Sequence, residues 1–302
     1  NIEKYIDSIG RTIEFCHRRS SYVRACQIIE NNESHEKELV RVILCDNPAK
    51  PFPPSLSKLA SLSHERILPI KSFHKINITD SGRYKYGDIT GEALVIISEA
   101  VENNLFGCSE DEDGINETFT KVDEQTAKKI TKQIVEVLYF LQENGINLGH
   151  GLDRNTSILL REKGNIDSFV LDFYCYHDIT VAGSRFLGEP TREAPLFQSP
   201  EVLKCENTKK TSSWAIGIFL YRILSGYYPF ASDNAPTLVE SILNADFDFP
   251  EDEWKDISDQ AIDLIDSVLL TNPESRLDLC GILNHPFMQE KQQKSARSTT
   301  ID

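Results

Sequence analysis

The sequence lacks a long apolar run. The richest one, residues 214–224, is short and contains Arg222. A helix needs about 20 mostly apolar residues to cross a bilayer, so no membrane span is predicted. No signal peptide is visible, and the chain opens at Asn1 without a methionine, so we expect it to be an excised fragment of a longer protein.

The sequence also has fewer basic than acidic residues. The chain of 302 residues carries 32 Lys and Arg against 47 Asp and Glu, a net charge of −15. This charge repels phosphate backbones, which excludes nucleic acid and anionic membranes as main partners. Surface acidity mainly keeps a protein in solution, so it is only a weak indication of a basic partner.

The cysteines form no recognisable pattern. Seven are scattered along the chain, with no CxxC pair and no Cys/His metal spacing. Cys26 and Cys45 lie in apolar runs, where a thiol behaves as a small buried hydrophobic group. This usage predicts a reducing, intracellular compartment, with the cytoplasm as its location.

The first hundred residues are predicted to be mostly β-strand with one short helix. The strand-like runs are rich in β-branched residues, and polar turns separate several of them: residues 11–17, 22–29, 38–44, 74–78 and 93–97. Prolines at positions 51, 53 and 54 are incompatible with a helix interior. The helix is therefore predicted to begin near Ser55.

After residue 101 the pattern becomes helical, following an acidic insert at residues 107–118. Apolar residues recur at helical spacing from Asp123 to a stop at Gly145. A hairpin is predicted over residues 157–173, and residues 214–224 are apolar on nearly every side, as in a buried helix. Ser258 is predicted to cap another amphipathic helix.

These patterns predict an α+β fold with two lobes. The small β-rich N-lobe is assigned to residues 1–101, the large helical C-lobe to residues 102–288, and a flexible tail to residues 289–302.

Five segments resemble the large lobe of eukaryotic Ser/Thr protein kinases, and the calcium/calmodulin-dependent branch in particular. They occur in the order and spacing of that family: residues 195–201 (PLFQSPE), 214–221 (WAIGIFLY), 226–230 (GYYPF), 273–276 (PESR) and 283–287 (LNHPF). The resemblance implies a bilobal protein-kinase-like fold. It also implies that Glu201 and Arg276 form a buried ion pair, and that Trp214 and Gly217 belong to the buried central helix.

The N-lobe residues that would bind ATP in this family are replaced. The three glycine positions of the phosphate-binding loop are filled by Cys16, Arg18 and Ser21, whose side chains block close backbone approach to a phosphate. The third-strand lysine falls on Val42 or Ile43, depending on the register. Arg41 is the nearest cation, and only the Ile43 register leaves it facing the pocket.

The glutamate that pairs with this lysine would lie at Ser55. Weaker candidates for nucleotide contact are Ser98 and Glu99.

The catalytic loop, residues 150–160, departs from the family pattern in the same way. Leu152 fills the position of the general base, Ser157 that of the magnesium-binding asparagine, and Gly151 that of an arginine. Asp153 is the candidate for a base displaced by one residue, and a misplacement of about 1 Å can cost about 100-fold in rate. Arg154 can supply the charge of the family lysine.

One metal-binding carboxylate is retained. Asp172 matches the aspartate of the Asp-Phe-Gly turn, where Tyr174 replaces the glycine; a capping or turn carboxylate is the alternative role for Asp172. Ser212 replaces the aspartate that braces the catalytic loop, and Ala194 replaces a threonine near the end of the activation segment.

The retained scaffold and altered chemistry predict a pseudokinase, which acts as a scaffold or allosteric regulator for a protein partner, either an active kinase or a basic peptide. No cofactor is expected. Two alternatives stay open: a divergent Ser/Thr kinase that uses ATP and Mg²⁺ with Arg41, Asp153 and Asp172 in shifted roles, and a domain that binds ATP without turnover.

Overall fold

The protein is described by a computed structural model. It covers residues 22–30, 36–45, 54–78, 91–101, 103–104, 109–111, 114–116, 121–148, 158–172, 179–181, 198–204, 206, 208–232 and 234–289.

The N-lobe is an antiparallel sheet with one short helix. Four strands pair in the order β1–β2–β4–β3. Their bounds are Tyr22–Glu30 for β1, Lys37–Cys45 for β2, Ile70–Ile78 for β3 and Gly91–Glu99 for β4. The strand predicted at residues 11–17 lies outside the described residues.

Strand β4 is central because it is apolar on both faces. Its residues Leu94, Val95, Ile96 and Ile97 are all at most 5% exposed, which suits a strand covered from both sides. Helix α1, Pro54–Ser61, connects β2 to β3 and buries Leu59. It begins with a proline, whose fixed φ and missing N–H are tolerated in the first helical turn.

The C-lobe is built on two long helices. Helix α2, Glu124–Glu143, begins where the Asp123 carboxylate accepts the N–H of Thr126 at 2.9 Å. Its buried face carries the predicted apolar residues, and the chain leaves it through Gly145 at φ +71°. Helix α4, Thr211–Ser225, is buried at every residue and forms the centre of the lobe.

Shorter elements surround these two helices. The remaining helices are α3 (Pro200–Leu203), α5 (Ala235–Asn244), α6 (Glu251–Trp254), α7 (Asp259–Val268) and α8 (Leu279–Asn284), with 3₁₀ turns at Ile166–Ser168, Pro273–Ser275 and Pro286–Met288. Ser258 caps α7 by accepting the N–H of Ala261 on its Oγ at 3.3 Å. None of the helices in the described ranges is long and apolar enough to span a membrane.

Small antiparallel sheets complete the described part of the fold. Strands β5 (Asn103–Asn104), β9 (Ile158–Leu160) and β10 (Phe169–Leu171) form one sheet in the order β10–β9–β5. Strand β8 (Ile146–Leu148) pairs with β11 (Ile179–Val181), and β6 (Ser109–Asp111) pairs with β7 (Gly114–Asn116) inside the acidic insert. The two-lobed α+β fold predicted from the sequence is thereby confirmed.

Gly217 allows α4 to pack closely against the end of α7. A Cβ atom at this position would lie 2.6 Å from Cγ2 of Val268 and 2.7 Å from Cδ2 of Leu269. Real Cβ atoms do not approach side chains this closely, so the two helices would have to move apart.

We therefore expect Gly217→Ala to lower the free energy of unfolding by about 1–3 kcal/mol, despite the higher helix propensity of alanine. Urea denaturation measures this change. Gln260→Ala, at an exposed position of α7, is the control and should change stability by about 0.5 kcal/mol or less. A Gly217→Ala protein as stable as the wild type would contradict the packing argument.

Candidate functional site

Glu201 and Arg276 form a bidentate ion pair inside the C-lobe. Nη1 of Arg276 lies 2.8 Å from Oε1 of Glu201, and Nη2 lies 3.1 Å from Oε2. The two side chains are 0% and 3% exposed. The planar guanidinium matches the two carboxylate oxygens, which is the geometry that makes such a pair strong in a desolvated site.

Further hydrogen bonds satisfy the pair. Arg276 also donates to the carbonyl oxygens of Leu270 at 2.7 Å and Lys210 at 3.0 Å, and the Thr211 hydroxyl donates to Glu201 at 3.1 Å. The guanidinium carbon lies 5.1 Å from the centre of the Trp214 ring. Because these groups lie on three separate segments, the pair joins α3, the start of α4 and the turn before α8.

Glu201 stays charged although it is buried. Burial alone would raise the pKa of this carboxyl, but the hydrogen bonds and positive charge of Arg276 outweigh it and hold the pKa below its ordinary value. The pair is therefore ionised in the folded protein near neutral pH.

The segment that leads into the catalytic loop is anchored to α4. The Ser212 hydroxyl donates to Oδ1 of Asn147 in β8 at 3.1 Å, and Nδ2 of Asn147 donates to the Thr208 carbonyl at 2.6 Å. Ser212 thus makes a neutral hydrogen bond at the position where the family has an aspartate. The catalytic-loop candidates Leu152, Asp153, Arg154 and Ser157 lie outside the described residues, as do Cys16, Arg18, Tyr174 and Ala194.

Asp172 is buried at the end of β10, with 2% exposure. The residue before it, Leu171, donates its N–H to the Arg66 carbonyl at 2.7 Å and accepts the N–H of Leu68 at 2.9 Å. The connector between α1 and β3 therefore fixes the backbone that presents Asp172. No group of three potential metal ligands occurs within the described ranges, and a metal role for Asp172 stays a prediction.

The two lobes are tied together where β4 ends. Ser98 is fully buried, and the Glu99 carboxylate pairs with Nε of Arg161 at 2.7 Å, which links β4 to the turn after β9. Ala100 and Val101 follow β4 as the interlobe connection. Arg66 donates to the carbonyl oxygens of Asp167 and Phe169 in the same hairpin.

The pairing of β2 with β4 locates the position of the missing lysine. Leu39 pairs with Ser98, Arg41 with Ile96 and Ile43 with Leu94. Because side-chain positions alternate along a strand, positions 41 and 43 share the sheet face of Leu39, and position 42 lies on the other face. Leu39 belongs to a cluster with C-lobe residues. This face therefore borders the space between the lobes, which favours the register in which Ile43 replaces the lysine.

Sequence reasoning missed three residues that shape this region: Leu39, Arg66 and Arg161. Arg66 and Arg161 bind partners that are distant in the sequence, so no local spacing indicates them. Leu39 had a usable signal, because it lies two residues before Arg41 on the same face of one strand.

Removing one member of the buried pair should be costly. We expect Glu201→Gln and Arg276→Met each to lower the free energy of unfolding by about 3–5 kcal/mol, since each leaves a buried polar or charged partner uncompensated. The double variant should lose less than the sum of the two, because the residues interact directly. Urea denaturation measures all three.

The exposed pair provides the comparison. Arg161→Ala removes an ion pair whose members are 40% and 32% exposed, and it should cost about 1 kcal/mol or less. Equal losses for Arg161→Ala and Arg276→Met, or additive losses for the buried pair, would contradict this reading.

The lowered pKa of Glu201 also predicts a pH dependence. A carboxyl whose pKa is lower in the folded state stabilises the fold above its ordinary pKa of 4.5, and this contribution is lost as the pH falls through the folded-state value. The difference in unfolding free energy between wild type and Glu201→Gln should therefore shrink below about pH 4.5. Urea denaturation at pH 7, 5, 4 and 3 tests this, and parallel curves would refute it.

Comparison with known proteins supports the same architecture. Residues 8–288 match the protein kinase domain family. The chain is 25% identical to myosin light chain kinase A of Dictyostelium discoideum, over 89% of this chain and 85% of that protein. It is 30% identical to calcium/calmodulin-dependent protein kinase type I of Schizosaccharomyces pombe, over 56% of this chain and 50% of that protein.

A solved structure shares the fold. The crystal structure of Rad53 1-466 in complex with AMP-PNP matches with a TM-score of 0.62 and 21% identity, over 91% of this chain and 64% of that chain. At this identity the likeness concerns the fold alone. With the family match covering nearly the whole sequence, the chain belongs to the protein kinase domain family, and its relatives include Ser/Thr kinases.

Proposed function

We propose that this chain is a pseudokinase, a kinase domain with impaired catalysis that serves as a scaffold or allosteric regulator in phosphorylation signalling. The observation that carries the proposal is Leu152 at the position of the general base. An alkyl side chain cannot accept the proton of an attacking hydroxyl, and a positioned base contributes about 10²–10⁴-fold to the rate.

Other substitutions act in the same direction. Phosphoryl transfer depends on charge clamps held in place, and loss of one such contact costs about 10²–10³-fold. The lysine position on β2 falls on Val42 or Ile43, Ser157 replaces the magnesium-binding asparagine, and Tyr174 follows Asp172 and Phe173. The losses are not additive because these residues act as a unit, yet together they leave no complete set of phosphate and metal contacts.

The described part of the large lobe supports a binding role. The satisfied Glu201–Arg276 pair and the fully buried α4 provide a rigid body that can present a binding surface to another protein. We propose that the partner is an active kinase or a basic substrate peptide. The acidic insert at residues 107–118 is the segment that would bind a basic peptide, and binding would take place in a reducing intracellular compartment.

A divergent kinase is the competing function. The observation in its favour is the buried, backbone-anchored Asp172, together with Arg41 on the sheet face that borders the interlobe space. In that case Asp153 would act as the base from its shifted position.

The test is phosphate transfer from radiolabelled ATP. The wild type, with Mg²⁺ or Mn²⁺ and either a basic peptide or itself as acceptor, should transfer no more label than Asp153→Ala and Asp172→Ala. All three proteins should have the same melting profile before the assay. Transfer by the wild type that both substitutions abolish would establish the divergent kinase instead.

A further inference from the structure

A compact hydrophobic cluster occupies the space between the lobes. Four leucine and valine side chains form it, one from β2, one from the α1–β3 connector and two from β9 and β10: Leu39, Leu68, Leu159 and Val170. Ala100 and Val101 of the interlobe connection pack against it. The cluster therefore joins the N-lobe sheet, the connection and the C-lobe hairpin in one apolar contact.

The cluster lies at the connection between the lobes, where the family resemblance places the nucleotide base. Val170 precedes Asp172 by two residues, so the cluster is close along the chain to the one carboxylate expected to bind metal. Leu39 pairs with Ser98 at the end of β4, directly before the interlobe connection. A flat base that entered beside the connection would meet this cluster.

These residues are too buried to border an open gap that could hold such a base. Leu39 and Leu159 are each 8% exposed, while Leu68 and Val170 are fully buried. A planar ring needs about 3.5–4 Å of clearance to carbon atoms on each of its two faces, so its apolar walls must stand about twice that distance apart. A gap of that width would expose the side chains that line it, so their low exposure indicates that the cluster contains no such gap.

The backbone of the interlobe connection also makes a hydrogen bond to the N-lobe sheet. The Ala100 N–H donates to the Lys37 carbonyl at 3.4 Å, which ties the connection to β2 just before Leu39. Backbone N–H and C=O groups at the edge of an apolar pocket are the groups that orient a bound heterocycle. The Ala100 N–H instead donates its hydrogen bond within the protein, to the Lys37 carbonyl.

We infer that Leu39 is the residue that closes the interlobe slot to purines, so that the closed arrangement of the lobes is maintained by the protein's own side chain. This inference rests on the proposed function, and it adds that the loss of nucleotide use begins with the base and not only with the phosphate contacts. Shortening Leu39 should reopen the slot while the cluster residues of the C-lobe stay in place.

Adenosine is the probe, because it carries the base without the phosphates whose contacts are altered. Isothermal titration should show at least about tenfold tighter adenosine binding by Leu39→Ala than by the wild type, a difference of about 1.4 kcal/mol. Leu68→Ala is the matched control, since it removes the same number of carbons from the same cluster but from the connector side. It should bind no more tightly than the wild type.

Stability must be separated from binding. Removal of a buried leucine destabilises a fold, so each variant is first checked by thermal melting. Should Leu39→Ala not fold, Leu39→Val replaces it; it removes one methylene and should still bind adenosine more tightly than the wild type. A raised melting temperature in adenosine provides an independent readout.

Two outcomes would overturn the inference: adenosine binding by the wild type as tight as that of the Leu39 variant, or folded Leu39 variants that bind no better than the wild type. Neither outcome bears on phosphate transfer, which tests the proposed function separately. Phosphate transfer by the wild type would end the pseudokinase proposal, whatever the adenosine titration shows.

Discussion

The C-lobe depends on two opposite charges that are held out of water. Glu201 and Arg276 are 75 positions apart, and each would be expensive to bury alone. Their bidentate contact is tolerated because carbonyl oxygens of Leu270 and Lys210 occupy the remaining guanidinium donors. The same contacts fix the start of α4, so Trp214 packs beside the guanidinium and in parallel with Phe230, with ring centres 5.6 Å apart. The pair thus sets the position of the central helix on which the rest of the lobe packs.

The relation between the lobes depends on a second set of contacts, centred on the β9–β10 hairpin. Glu99 reaches it through Arg161, Arg66 through the backbone carbonyls of Asp167 and Phe169, and Leu39 through the apolar cluster. These contacts connect the N-lobe sheet and the segment after α1 to one hairpin of the C-lobe.

The described structure and the sequence motifs therefore both separate the residues that hold the fold from the residues expected to carry out the chemistry. The described part of the large lobe has a buried ion pair with further hydrogen bonds, a cap on α2 from Asp123 and a cap on α7 from Ser258. At the positions that the family resemblance assigns to the base, the lysine and the magnesium-binding asparagine, the sequence carries Leu152, Val42 or Ile43, and Ser157. Fold and chemistry depend on different residues, so the family fold shows the architecture of this chain and leaves its reaction to be tested.

The sequence alone determined the elements whose signals are local. Helical spacing of apolar residues predicted α2, the polar residue before an amphipathic run predicted the cap at Ser258, and proline at position 54 predicted where α1 begins, because backbone geometry and capping act over a few residues. Only the tertiary structure decided the register of β2 against β4, the Glu99–Arg161 pair and the apolar cluster around Leu39. Each of these depends on which distant segments come into contact. A strand can pair with any partner of suitable pattern, and the sequence around a buried leucine does not indicate which residues it packs against.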